Sequence, residues 1–201
     1  MSKRLQVLLT ALVLSVSSMV SVAAEHPAQT LVVDAITSML DVLKNDGDKI
    51  KSDPDYRQSK VDELIVPHLD FDTMTKLAVG KFWRRAEAAQ QTELISEFKT
   101  LLLKTYTGAL TEYSNEVITF EPFRPEERPD RAVVRSTFSQ SGGSDVPVVY
   151  KLRDKGGWSI YDIEVNNISL VTNYRTAFAS EIDKGGIAGL LKTLKDKNAT
   201  S

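Results

Sequence analysis

Cysteine is absent from this 201-residue chain, and histidine occurs only at His26 and His68. Without thiols there is no disulfide framework, no thiolate metal centre and no cysteine nucleophile. Two imidazoles are too few for a histidine-built metal site; His68, after Pro67, reads as structural, and His26 falls in a stretch expected to be a flexible N-terminus. No excess of basic residues stands out either, with 25 Lys and Arg against 27 Asp and Glu. A nucleic-acid partner is therefore not expected, nor is a polybasic membrane-surface segment. The glycines form no phosphate-cradling loop: Gly142-Gly143 has neither the lysine nor the following helix, and no G-x-S-x-G elbow occurs.

Long apolar runs are also scarce, and the longest is N-terminal. Lys3-Arg4 precede the stretch Leu5–Val22, and Ala23-Ala24 lead into Glu25-His26-Pro27. A basic head, an apolar middle and small residues at the end predict a secretory signal peptide over 1–24, removed after Ala24. At eighteen residues the run lies at the short limit for a membrane span. The mature chain is then one domain over 25–201, with 23 basic against 27 acidic residues, a net charge of −4. A cysteine-free exported domain suits a bacterial periplasm, where the Asn167-Ile168-Ser169 and Asn198-Ala199-Thr200 patterns are chance matches to a glycosylation signal.

Apolar spacing predicts helices over the first half. Val32, Val33, Ile36, Met39, Leu40 and Leu43 mark one from Thr30 towards Ile50, and a shorter one covers Ser59–Val66. Asp70 is placed to cap a helix carrying Phe71, Met74 and Leu77. From Glu87 to Tyr113, Leu94, Phe98, Leu101 and Leu102 form a stripe that Ile95, Tyr106 and Leu110 widen, enough to meet two layers. Four strands follow, over Val117–Phe120, Ala132–Ser139, Val146–Arg153 and Trp158–Val165, with hairpin-length links that predict an antiparallel meander. Asn166-Asn167 end the last strand in a left-handed turn into a helix from Ser169, and a short helix closes the chain after Gly185-Gly186. This is an α+β pattern, a four-stranded antiparallel sheet packed on helices.

Candidate chemistry is sparse. Asp162 lies inside an apolar strand beside Tyr161 and across a hairpin from Tyr150, so it is either an acid–base group or, the favoured reading, a carboxylate that holds the sheet. The clearer feature is an apolar surplus. Tyr106, Phe120, Phe138, Val148, Tyr150, Leu152, Ile163, Val165, Leu170, Val171 and Tyr174 can face one space between sheet and helices. That space is either a filled core or a core with a ligand-sized cleft.

Three ordered blocks carry a resemblance. Pro67-His68-Leu69-Asp70-Phe71-Asp72-Thr73-Met74-Thr75 with Gly80 and Trp83 is the first, and Glu97-Phe98-Lys99-Thr100-Leu101-Leu102 with Tyr106 the second. The third is Trp158, Tyr161-Asp162, Ser169-Leu170-Val171 and Asn173-Tyr174-Arg175. Together they resemble the MlaC family of periplasmic phospholipid-binding proteins, with Asn167 where glycine is expected in many relatives. The resemblance implies a deep apolar pocket for phospholipid tails, walled by the apolar set above except Phe120. It also implies shuttling between an outer-membrane lipoprotein–porin complex and the substrate-binding component of an inner-membrane ABC transporter, with no cofactor and no catalysis. A small-molecule enzyme using Asp162, or a pocketless interaction protein, is the alternative. Lys81, Arg84 and Arg85 beside Trp83 are the expected docking contacts.

Overall fold

A computed structural model describes residues 25–113, 116–139 and 143–200. The expected signal peptide, Ser114-Asn115 and the loop residues Gln140-Ser141-Gly142 lie outside the described residues. Helix α1 spans Pro27–Asn45, with its first proline where a missing N–H costs nothing. His26, expected in a flexible terminus, instead caps α1. Its Nδ1 accepts from the Ala28 N–H at 3.3 Å, and its ring stacks on Phe123 at 4.1 Å and meets the edge of Trp158 at 5.2 Å. Helices α2 (Gly47–Ser52) and α3 (Pro54–Leu64) follow, the latter capped by Asp53, which accepts from the Tyr56 N–H.

Helix α4 covers Phe71–Val79 and starts, as its sequence predicts, at Asp70, which accepts from the Thr73 N–H at 3.0 Å. Helix α5 runs Ala88–Thr107 from a Glu87/Gln90 capping box. The helix expected to reach Tyr113 tightens into a 3-10 turn over Gly108–Glu112. Helix α6 spans Leu170–Thr200 with a kink at Gly186, whose φ of 66° suits a residue without a Cβ.

The sheet has five antiparallel strands in sequence order, not four: β1 Val117–Phe120, β2 Arg131–Ser139, β3 Val146–Asp154, β4 Trp158–Val165 and β5 Ile168–Ser169. The fifth is two residues long, created when Asn166 and Asn167, at φ 50° and 63°, fold the chain back against β4. That is too short to leave a period-two signal. Farther along the same edge, Leu69 bridges Ile160, and the Asp70 N–H donates to the Ile160 carbonyl at 2.8 Å. The outer edge of β4 is thereby occupied, which removes a site for unwanted strand pairing.

Leu152 pairs with Ile160 but Lys151 with Asp162, so Tyr161 is an extra residue in a β-bulge. The bulge brings Trp158, Ile160, Ile163 and Val165 onto one sheet face, where strict alternation would put Ile163 and Val165 opposite Trp158 and Ile160. That face, with Ala132, Val134, Val148, Tyr150 and Leu152, packs on Ala28 and Val32 of α1. A second cluster joins α4, α5 and α6 through Met74, Leu94, Phe98, Val171 and Phe178. A third, around Met39, Leu43, Ile50 and Val61, joins α1, α2 and α3. Among the described residues no helix is long and apolar enough to cross a membrane.

Candidate functional site: an uncharged cavity and a cationic groove

The three clusters meet without closing, and the space left between them is a cavity of about 700 Å³. Ile36 and Met39 of α1, Val61 and Ile65 at the end of α3, and Phe71 and Met74 of α4 line one side. Leu102, Leu103, Tyr106 and Leu110 line another, followed by Ile163, Val165 and Ile168 of the sheet and Leu170 of α6. The polar lining groups are Thr107, Asn166 and Asn173 together with the Tyr106 phenol; no lining residue carries a charge. Three of its apolar walls are also exposed, Tyr106 at 47%, Val165 at 45% and Ile168 at 64%. Large apolar groups left in water together mark an opening that meets something other than water. Burial, and then the neighbouring Tyr174 phenol, push the Tyr106 hydroxyl up to about 12, so it stays a neutral donor at any physiological pH.

Of the ten residues expected to wall a pocket, Tyr106, Ile163, Val165 and Leu170 line this cavity. Val148, Tyr150 and Leu152, with Phe138 packed beside them, lie in the core between the sheet and α1, where burial pushes the Tyr150 phenol up to about 12. Val171 is 4% exposed in the helical core. Tyr174 is there too, edge-on to Phe98 at 4.9 Å. The sheet therefore contributes only the C-terminal half of β4 and β5. Much of the lining comes from α1, α3 and α4, which supply none of the ten expected residues. Val61 and Ile65 were visible as an apolar i, i+4 pair at the end of α3, and Leu103, Tyr106 and Leu110 as the widened flank of the α5 stripe.

Asp162 is buried behind this wall and already committed. It accepts from the Ser169 hydroxyl at 2.8 Å, the Val171 N–H at 3.1 Å and Lys151 Nζ at 3.4 Å. Ser169 in turn accepts from the Thr172 N–H at 3.0 Å, so strand and turn together cap α6. Its cross-strand neighbour is Lys151, while Tyr150 faces Ile163, so the suspected Asp–Tyr pair is not assembled. A second buried carboxylate, Asp70, pairs with Lys155 at 2.7 Å and accepts from the Thr73 hydroxyl at 2.6 Å. Burial pushes its carboxyl up, but Lys155 and the Thr73 hydroxyl and N–H outweigh that and leave it below its ordinary value. Both carboxylates fasten a helix to the β3–β4 hairpin. Among the described residues no group of three or more His, Asp or Glu is placed to hold a metal.

A second concavity, about 970 Å³, opens where α4 ends and the 3-10 turn Gly80–Arg85 begins. Lys76, Lys81, Arg84 and Arg175 line it with Leu77, Phe82, Trp83 and Ala179, and no acidic residue is among its walls. Stepping about 100° per residue along α6, Leu170 and Asn173 fall on one flank and Arg175 and Ala179 on the other. Tyr174, Phe178 and Val171 lie between. Cavity and groove are thus the two sides of one helix.

This geometry can be set beside known proteins. The model of the family described as MlaC protein matches residues 33–196. The toluene tolerance protein ttg2D of Pseudomonas putida is 29% identical over 170 residues, 84% of this chain and 78% of that protein. The intermembrane phospholipid transport system binding protein MlaC of Haemophilus influenzae is 23% identical over 176 residues, 86% and 82% of the two chains. Among solved structures, a phospholipid-binding protein from Ralstonia solanacearum, in complex with a phospholipid, superposes with a TM-score of 0.78 at 35% identity. It covers 87% of this chain and 98% of its own. On the match over 33–196 and these relatives, the chain belongs to the MlaC family.

Proposed function

We propose that the protein is a periplasmic phospholipid carrier that moves lipid between an outer-membrane lipoprotein–porin complex and the substrate-binding component of an inner-membrane ABC transporter, maintaining outer-membrane lipid asymmetry. The observation that carries this reading is the uncharged, apolar-mouthed cavity in a chain whose structural relative is described in complex with a phospholipid. Each CH₂ of an acyl chain holds a lipid in its bilayer by about 0.8 kcal/mol, so a carrier must offer comparable dry surface or extraction runs uphill. A lining without charge favours this, because no ion in it needs to be stripped of water when tails enter. Tyr106, Ile163, Val165 and Leu170 contact the tails directly, while Phe138, Val148, Tyr150, Leu152, Val171 and Tyr174 shape the walls from behind. The polar groups at Asn166, Asn173, Thr107 and Tyr106 are neutral hydrogen-bonding partners for the polar end of a lipid.

Catalysis is no part of this reading: Asp162, the carboxylate the sequence singles out, caps α6, and both of its oxygens already accept hydrogen bonds. Mass spectrometry of the intact protein purified from its own periplasm tests the reading. Diacyl phospholipid bound at about one per protein is the expected result; a protein that emerges without lipid under conditions that preserve noncovalent complexes refutes it.

A further inference from the structure

We propose that the groove between α4 and α6 docks a carboxylate-rich segment of a protein partner. This rests on the carrier reading, and adds the surface and its chemistry. Several cations elsewhere sit on neighbouring acids, among them Lys60 on Glu63, Arg128 on Asp130, Lys155 on Asp70 and Lys195 on Glu93. Lys76, Lys81, Arg84 and Arg175 form no ion pair among the described residues, as is also true of scattered cations such as Arg124 and Arg135. What sets these four apart is that they line one groove with no acidic residue among its walls. In a chain whose net charge is −4 from residue 25 onward, this is a concentrated cationic site without its own counter-charge.

Arg175 is pre-set for the purpose. Its Nε donates to the Leu77 carbonyl at 2.8 Å. At φ +61°, Gly80 lies against its stem, and a Cβ there would come to 3.6 Å from Nε. The Nη groups remain for a bidentate carboxylate. Shape selects protein over membrane: the site is a concavity with Leu77, Phe82, Trp83 and Ala179 among its walls, which a side-chain-bearing segment enters and a flat bilayer surface does not. Position gives the docking a consequence. Helices α4 and α6 wall the lipid cavity with Phe71, Met74 and Leu170, so a partner held across their other flank grips two cavity walls at once.

The test uses the full mature chain carrying its own lipid, with Lys81→Glu/Arg84→Glu and the milder Lys81→Gln/Arg84→Gln. Binding to each purified membrane complex is measured at low and at physiological salt, and lipid content is read by mass spectrometry on the same preparations. Wild type is expected to bind more weakly as salt rises, the reversal variant to lose about tenfold or more in affinity for one complex, and the glutamine variant to fall between them. Unchanged lipid content and thermal unfolding show that the loss lies in docking. Wild-type affinity of the reversal variant for both complexes, or salt-independent docking of the wild type, overturns the proposal while leaving the carrier reading intact. Wild type devoid of lipid refutes the carrier reading instead. If the reversal variant loses binding only to phosphatidylglycerol vesicles, and not to either complex, the occupant is a bilayer and the proposal also fails.

Discussion

On one flank of α6 a cavity of about 700 Å³ is lined without a charged residue; on the other, a groove of about 970 Å³ carries four cations and no acid. The same helices serve both, and α4 divides along its length, giving Phe71 and Met74 to the cavity and Lys76, Leu77 and Val79 to the groove. The difference follows from the cost of charge. An ion enclosed among apolar walls costs several kcal/mol, whereas on an open surface it keeps its water and costs almost nothing. Charge is therefore a marker of which space stays wet, and the two flanks are suited to two kinds of occupant, one apolar and one acidic.

Putting charge into the dry side should have the largest effect. Leu103 lies partly buried where the helical clusters meet at the cavity wall. Leu103→Glu is expected to lower bound lipid at least about tenfold, because acyl chains would strip a carboxylate of water, while the protein stays folded with its new charge in the open cavity. Val171→Glu provides the contrast. At 4% exposure in the packed helical core it should cost roughly 3–5 kcal/mol of stability and lose lipid by loosening α6. Lipid content paired with urea unfolding separates the two. A Leu103→Glu protein with full lipid content would break the distinction drawn between cavity wall and core.

How far the site was legible depends on which pattern a residue leaves. The left-handed Asn166-Asn167 turn, the Asp70 cap and the width of the α5 stripe are local signals, and the fold honours them. The wall was harder to assign. Sequence periodicity tells that Val148, Tyr150 and Leu152 turn inward, but not whether they meet α1 or empty space; α1 covers them, and the opening lies farther along, at the end of β4. The bulge at Tyr161 hid which face Ile160 and Ile163 share, since one extra residue reverses alternation. The groove was half visible: Lys81 and Arg84 stand out beside Trp83, but Lys76 and Arg175 join them only through helix packing.

A smaller effect should come from the carboxylate that fastens α4 to the hairpin. Asp70→Ala removes an N-cap and leaves Lys155 without its partner, an expected loss of about 2–4 kcal/mol in urea unfolding near neutral pH. Its pH dependence has a definite sign. The folded carboxyl titrates below its ordinary value of 3.8, so its contribution is present above that value and disappears as pH falls through the depressed one. The stability gap between wild type and Asp70→Ala should thus be level across the neutral range and narrow in acid. A gap that widened in acid would mean that Asp70 is held protonated, against the Lys155 pairing.

The smallest expected effect lies at Asn167, in the turn that delivers Leu170 to the cavity. Its φ of 63° is left-handed, where a Cβ crowds the following carbonyl and asparagine is tolerated better than most residues. Asn167→Ala should therefore lose about 1 kcal/mol, and Asn167→Gly should stay within about 0.5 kcal/mol of wild type, because its relief of strain is offset by the freedom it adds to the unfolded chain. Neither should change lipid content at temperatures where both are folded, since Asn167 lies outside the lining and Asp162 and Ser169 hold the start of α6 independently. Urea unfolding of the two variants checks the ranking. An alanine variant as stable as the glycine one would show that backbone strain is not what this turn demands, and lipid loss in both at unchanged stability would place the turn in the mouth itself.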